Sequence, residues 1–233
     1  MNKELVWKQK RLGLITASEL SDITSASGKI IDGNVAYIRK KRFERKHGFS
    51  LPISGRPLDI GKEQEPYIIG WLRENYPSLE IVYSQELDDI PFWAVDWAKF
   101  GASPDGFTPD ESIVFECKTL CGNSSIEYFA DEYTPEEDKR KFVLKDHGDQ
   151  IAGQFLSNDK VQEIWIVKYI YQHDDIMEDT DDPCASWRGL VFKFKREEFD
   201  LESMKERIIM FDKFIDSKEN PAELKKISKK EEK

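Results

Sequence analysis

The sequence predicts an α/β fold in which a central mixed β-sheet is flanked by helices. Residues 161–171 (VQEIWIVKYIY) are dense in β-branched and aromatic side chains, the composition of a strand. Apolar residues recur at helical spacing near the other end, at Leu201, Met204, Ile208, Phe211 and Ile215. Helix-like stretches come first along the 233 residues, and strands and helices then alternate, with no internal repeat and no second domain.

The elements follow in order. Residues 5–10 read as a short helix. Thr16 with Glu19 fits the S/T-x-x-E capping box, so a second helix opens there. Residues 25–34 form a polar, Gly-containing loop, and 35–47 a basic helix ended by Gly48. Pro52, Gly55 and Pro57 make 49–57 a connector. Residues 58–75 are helical, with Pro66 tolerable only near the start or at a kink. Residues 81–86 alternate like a strand, and 93–107 and 112–119 read as two strands around a Pro109-Asp110 turn. The acidic stretch 131–141 is a loop or exposed helix, and 149–156 a helix. An acidic excursion at 173–183 follows the 161–171 strand. Residues 188–195 alternate Leu190, Phe192 and Phe194 as a strand does. The helix over 201–217 closes a single domain spanning 1–217, and the charged tail 218–233 is expected to fray.

Composition narrows the setting. No apolar run approaches the ~20 residues of a membrane span. The start, Met1-Asn2-Lys3-Glu4-Leu5, lacks a signal peptide's apolar region. Cys117, Cys121 and Cys184 are too few for a disulfide framework and too irregular for a zinc ribbon, which points to a reducing, cytoplasmic setting. The net charge of -10 argues at first against nucleic acid. The charge is uneven, however. Residues 1–62 hold 13 Lys and Arg against 6 Asp and Glu, whereas residues 131–182 hold 6 against 15. Such asymmetry permits a basic surface on an acidic protein.

The chemistry concentrates in two stretches, Ser103-Pro104-Asp105-Gly106 and Phe115-Glu116-Cys117-Lys118. Side chains alternate along a strand, so Glu116 and Lys118 project from one face, roughly 6–7 Å apart. Pro, Asp and Gly make the first stretch a turn, which would present Asp105 to Glu116 across a hairpin. The apolar run Ile113-Val114-Phe115 puts Glu116 at the edge of the core, where a charge needs a partner or a metal. Hard oxygen ligands suit Mg²⁺ or Mn²⁺. Asp105 and Glu116 would hold the ion, the Cys117 carbonyl would complete the shell, and Lys118 would orient the attacking water or steady developing phosphorane charge. Glu65 would bind a second ion; its alternative reading is a first-turn helix charge favourable to the dipole. Glu86 is a weaker candidate.

Pro104-Asp105, then ten residues, then Glu116-Cys117-Lys118 resembles the PD-(D/E)xK nuclease superfamily and its restriction-endonuclease-like core. The segment Trp7-Lys8-Gln9-Lys10-Arg11-Leu12-Gly13-Leu14-Ile15-Thr16-Ala17-Ser18 narrows this. It is similar to the Trp-x-x-x-Arg-x-Gly-x-Ile-Thr-Ala-Ser segment of the phage lambda exonuclease and YqaJ-type viral recombinase family. Gly61-Lys62-x-x-Glu65, the Asp105 turn, Glu116-x-Lys118, a Gln-bearing helix and a strand near Trp165 follow in that family's order, so the resemblance spans about residues 7–217.

The resemblance implies a Mg²⁺-dependent 5′→3′ exonuclease of phage or prophage origin with two ions per site. It would act on double-stranded DNA ends, form a ring-shaped trimer and leave 3′ overhangs for a single-strand annealing protein. Carried over by position, Arg11, Thr16, Ser18 and Ser103 would hold the 5′ phosphate. A guanidinium grips phosphate bidentately, and a helix N-terminus favours an anion. Glu65, Asp105 and Glu116 would be metal ligands, and Lys118 the catalytic lysine. The family's Gln-x-Gln pair departs here to Gln150-Ile151-Ala152-Gly153-Gln154, which leaves Gln150 or Gln154 as the functional glutamine. In a DNA-end enzyme the basic run around Lys40 and Arg42 would contact phosphates.

Two rivals stand beside this reading. One is a PD-(D/E)xK endonuclease of repair or restriction type; the other is a non-catalytic DNA-binding relic of the fold, against which the intact Asp105, Glu116 and Lys118 argue. An iron–sulfur nuclease needs four cysteine ligands, and the chain has three cysteines.

Overall fold

The computed structural model describes residues 2–23, 32–50, 56–171 and 182–220. The acidic excursion expected at 173–183 and the charged tail therefore lie outside the described residues, save 182–183 and 218–220, as do parts of the two early loops.

Helix α1 (Lys3–Arg11) opens on Asn2, whose side chain accepts from the Glu4 N–H. Gly13, at φ +74, turns the chain into the two-residue strand β1 (Ile15–Thr16). The expected second helix is a short 3₁₀ segment, Ala17–Asp22. Helices α2 (Asp32–His47) and α3 (Arg56–Asn75) follow. Pro66 sits well inside α3 rather than near its start, so it leaves the Lys62 carbonyl without its usual N–H donor.

The strands are shorter than their alternation suggests. The 81–86 stretch gives only β2 (Val82–Tyr83) before a 3₁₀ turn. The stretch 93–107 divides into β3 (Trp93–Ala94), β4 (Phe100–Ala102) and β5 (Gly106–Phe107). Pro104 has no N–H to donate, and the ladder breaks there. After β5 the chain reverses through Thr108–Glu111, with Glu111 at φ 62, into the long strand β6 (Ile113–Leu120).

Helix α4 (Asn123–Ala130) had no counterpart in the sequence reading, and α5 (Glu136–Ser157) is far longer than the 149–156 expected. Strands β7 (Glu163–Ile170) and β8 (Gly189–Lys195) and helix α6 (Leu201–Asp216) match the sequence reading closely.

Among the described residues the strands form two sheets rather than one. A three-stranded sheet runs β1-β4-β3 and a five-stranded mixed sheet runs β2-β5-β6-β7-β8. In the larger sheet only β6 and β7 are parallel. Alternation along β6 sends Phe115 toward α3, where it packs with Ile68, Leu72 and Trp165. Its neighbours Val114 and Leu120 pack on the opposite side with Val143 and Ile151 of α5. Glu116 and Lys118 share that α5 face. A third cluster (Ile15, Leu20, Ile38, Phe100, Ile208 and Phe211) ties the smaller sheet to α2 and α6. Gly153 is required here: a Cβ would fall 2.6 Å from Leu20 Cδ1 and 2.8 Å from Ala17 Cβ. Its absence lets the 3₁₀ segment lie directly on α5. No helix among the described residues is long and apolar enough to cross a membrane.

Candidate active site

Residues from α1, the 3₁₀ segment, α3, β2, the 103–105 turn, β6 and α5 line one cavity of about 450 Å³. It brings together Arg11, Thr16, Ser18, Glu65, Ser103, Asp105, Glu116, Lys118, Gln150 and Gln154.

The floor is the hairpin. Gly106 pairs with Phe115, which sets Asp105 beside Glu116 as the alternation implied. Asp105 Oδ2 accepts from the Cys117 N–H at 2.7 Å, and Ser84 fixes the turn by donating to the Pro104 carbonyl at 2.6 Å. Lys118 Nζ lies 2.8 Å from Glu116 Oε1. Both glutamines converge on the same carboxylate: Gln150 donates to Oε1, and Gln154 donates to Oε2 at 3.0 Å. Each thus contacts one oxygen of Glu116. The side-chain Oε1 of Gln154 is buried without a partner.

The carboxylates feel one another. Burial, then the charges of Glu116 and Glu65, raises the Asp105 carboxyl well above its ordinary range. Burial pushes Glu65 up to about 7, opposed by a hydrogen bond from Tyr83 and reinforced by Glu116. Against burial, Glu116 and Asp105 hold the Lys118 ammonium above its ordinary range. Among the described residues no three His, Cys, Asp or Glu side chains are gathered tightly enough to hold a metal as they stand. The donor set nonetheless fits a hard divalent cation: three mutually repelling carboxylates, one of them with a buried, unpartnered oxygen, Glu65 Oε1. Glu116 would have to release one of its present donors to the ion. Cys117 contributes its N–H to Asp105 and does not line the cavity.

The opposite wall is polar and cationic. Arg11 lies one turn beyond Trp7 on α1, with its guanidinium 4.2 Å over the indole ring. The guanidinium makes no hydrogen bond or ion pair with the described residues; burial pulls its pKa down, and Glu19, Glu116 and Asp105 oppose that. Trp7 Nε1 donates to Ser103 Oγ at 2.9 Å, which leaves the Ser103 hydroxyl hydrogen to donate elsewhere. Trp7 thus braces two groups of this wall. Ser18 is exposed to the cavity, whereas Thr16 turns inward: its hydroxyl donates to Glu19 Oε2 at 2.9 Å.

Glu19 in turn gathers Tyr37, Lys40 and Lys41 at 3.1, 2.9 and 3.0 Å. Two residues expected to contact DNA phosphates also have partners within the chain. Lys40 is paired with Glu19, and Arg42 donates to the Ile215 and Phe214 carbonyls at 3.0 and 2.6 Å, closing the end of α6. Neither lines the cavity, because the basic run satisfies internal acceptors. Glu86 is likewise spent on a surface pair with Arg73.

No protein-family model and no curated protein matches the sequence. Solved structures do match the fold. An alkaline exonuclease (LHK-Exo) from Laribacter hongkongensis superposes with a TM-score of 0.63 at 17% identity, covering 98% of each chain. The same protein in complex with dAMP gives 0.59 at 17%, again over 98% of each chain. A phage-related exonuclease from Haemophilus somnus 129PT gives 0.64 at 15%, covering 87% of this chain and 93% of that one. The chain has the fold of these exonucleases. That is the PD-(D/E)xK-like class the sequence predicted, with the mixed sheet presenting Asp105, Glu116 and Lys118 at one end.

Proposed function

We propose that this chain is a metal-dependent nuclease, and specifically a 5′→3′ exonuclease that degrades one strand of linear double-stranded DNA from its 5′-phosphorylated end. The observation that carries the reading is Arg11. Arg11 is half-buried, its guanidinium has no hydrogen-bond or ion-pair partner among the described residues, and it shares a cavity with Glu65, Asp105, Glu116 and Lys118. A guanidinium whose five N–H groups face a cavity with no direct acceptor among the described residues suits an anionic ligand, and a terminal phosphate is one.

The chain's own groups divide the work. Arg11, Ser18 and Ser103 donate to the phosphate, and Trp7 keeps two of them in place. Lys118 orients the attacking water and offsets charge developing on the phosphoryl oxygens. Gln150 and Gln154 fix the Glu116 carboxylate. Asp105, Glu116 and Glu65 would hold Mg²⁺ or Mn²⁺, one ion or two, which when bound acidifies water and polarises the phosphoryl group. The wider setting follows the same resemblance: a ring-shaped trimer around DNA, and 3′ overhangs passed to a single-strand annealing protein.

The test pits a closed-circular plasmid against its linearised form, with Mg²⁺ or with EDTA. Loss of the linear form alone, and only with the ion, is expected. Nicking or linearising of the circle would turn the assignment to an endonuclease. DNA binding without cleavage would turn it to a catalytically silent relic of the fold.

A further inference from the structure

A second lysine stands beside the first. Strands β6 and β7 run parallel with Lys118 and Lys168 as register partners. Partners on a parallel pair project from the same face, roughly 4.8 Å apart at the backbone. Two lysine side chains therefore leave the sheet side by side at the same level, and their surroundings differ. Lys118 reaches back along its strand to Glu116. Lys168 is 7% exposed and lies 2.7 Å from His147 Nε2 on α5, with the Phe129 ring centroid of α4 at 5.5 Å.

No carboxylate is hydrogen-bonded or ion-paired to Lys168 among the described residues; Asp146 acts on it only through its charge. Burial, then the charges of Lys168 and Lys118, pushes His147 down to about 3. The imidazole is therefore neutral, and its Nε2 accepts from the Lys168 ammonium. Burial, then the charge of Lys118, pulls the Lys168 ammonium down to about 8, opposed by Asp146, so below that pH it is a cation held from two helices, in an apolar layer where an aliphatic side chain would pack at less cost.

We propose that Lys168, braced by His147, is a positioning residue for Lys118: a fixed like charge next door bars Lys118 from swinging across the sheet and leaves Glu116 as its counter-charge. The catalytic value of that placement rests on the nuclease reading; the geometry does not. Lys168 touches neither the cavity nor the carboxylates, and it acts through Lys118 alone.

The experiment compares the wild type with Lys168→Met, Lys168→Arg and His147→Ala by two readouts. The first is kcat and KM on linear duplex with 5′ phosphates and Mg²⁺. The second is the nitrogen-15 NMR signal of the Lys118 ammonium, protected from exchange while it is bonded to Glu116. Lys168→Met is expected to lower kcat about ten- to a hundredfold, as loss of an outer support does. KM should stay within about twofold, since the substrate is not touched. Lys118 should lose its protection, Lys168→Arg should recover most of both, and His147→Ala should repeat the defect in weaker form.

Wild-type kcat together with an unchanged Lys118 signal in Lys168→Met would overturn the proposal. A wild type that cleaves no DNA, but in which Lys168→Met still frees Lys118, would overturn the nuclease reading and leave the positioning intact. Should Lys168→Met fail to fold, the NMR signal in His147→Ala carries the same decision.

Discussion

On the proposed reading, single side chains divide the cavity into a cutting half and a holding half, and each half has its own signature when removed. Lys118→Ala should slow cleavage by about 10²–10³-fold, the range for loss of one preorganised charge stabiliser. DNA affinity should be nearly unchanged, as a filter-binding titration would reveal. Arg11→Ala should shrink the rate advantage of a 5′-phosphate over a 5′-hydroxyl end by about ten- to a hundredfold, the worth of charge-assisted hydrogen bonds. Thr16 and Ser18 should part company. Ser18→Ala should erode the phosphate preference, while Thr16→Ala should instead cost stability by about 1 kcal/mol, since its hydroxyl serves Glu19. Asp105, Glu116 and Lys118 were legible in the sequence because alternation and one tight turn are enough to place them. Trp7 stood in the motif without a role, because an indole bridging a guanidinium and a serine ninety-six residues away leaves no local signal. The partners of Lys40 and Arg42 were not legible for a related reason: a basic run looks the same whether it faces phosphates or caps its own neighbours.

Elements carry the geometry that holds the two halves together, and α5 is the chief of them. Its sheet-facing side includes Lys139, Val143, His147, Gln150, Ile151 and Gln154. Half of that stripe or more is polar because it serves the site and the α4 end, so the apolar period that announces a helix is missing over its first half. Helix α6, whose stripe is Met204, Ile208, Phe211 and Ile215, was plain for the opposite reason. The broken strands between 93 and 107 were unreadable because their pairing is set by β1 and β6 rather than by their own alternation. The contact between α5 and the 3₁₀ segment gives a direct test. Gly153→Val would drive methyl groups into Leu20 and Ala17. It should destabilise the fold by about 1–3 kcal/mol, the usual cost of overpacking. The same substitution should weaken the 5′-phosphate preference, because Ser18 rides on that segment; urea melts and end-labelled substrates read the two effects separately.

Two groups, His147 and Glu19, draw on the stability of the whole molecule as pH falls, and two, Glu65 and Asp105, oppose them. Burial, Lys168 and Lys118 hold His147 down at about 3 in the folded chain, against an ordinary 6.5. The stability from keeping it neutral is complete above about pH 6.5 and drains as pH falls toward 3. Burial raises the Glu19 carboxyl, but Lys41 and Lys40 outweigh it and hold the group at about 2. Its contribution is complete above the ordinary carboxylate value and drains as pH falls toward 2. Glu65, raised to about 7, and Asp105, raised as well, act the other way, since the folded chain takes up protons there that the unfolded chain does not. Between about pH 7 and 5 the urea midpoint of His147→Asn should therefore lose less, or gain more, than that of the wild type. Near neutral pH the three carboxylates repel one another, so millimolar Mg²⁺ should raise the melting temperature and EDTA should reverse it. The central claim is that one cavity both holds a 5′ phosphate and hydrolyses the strand that carries it. Linear duplex bearing a 5′ phosphate on one strand and a 5′ hydroxyl on the other, each strand labelled separately and digested with Mg²⁺, tests this most directly. The account predicts that the phosphorylated strand disappears, its partner survives as a single strand, and Arg11→Ala shrinks the difference by about ten- to a hundredfold. Equal loss of both strands, or loss indifferent to Arg11, would contradict it.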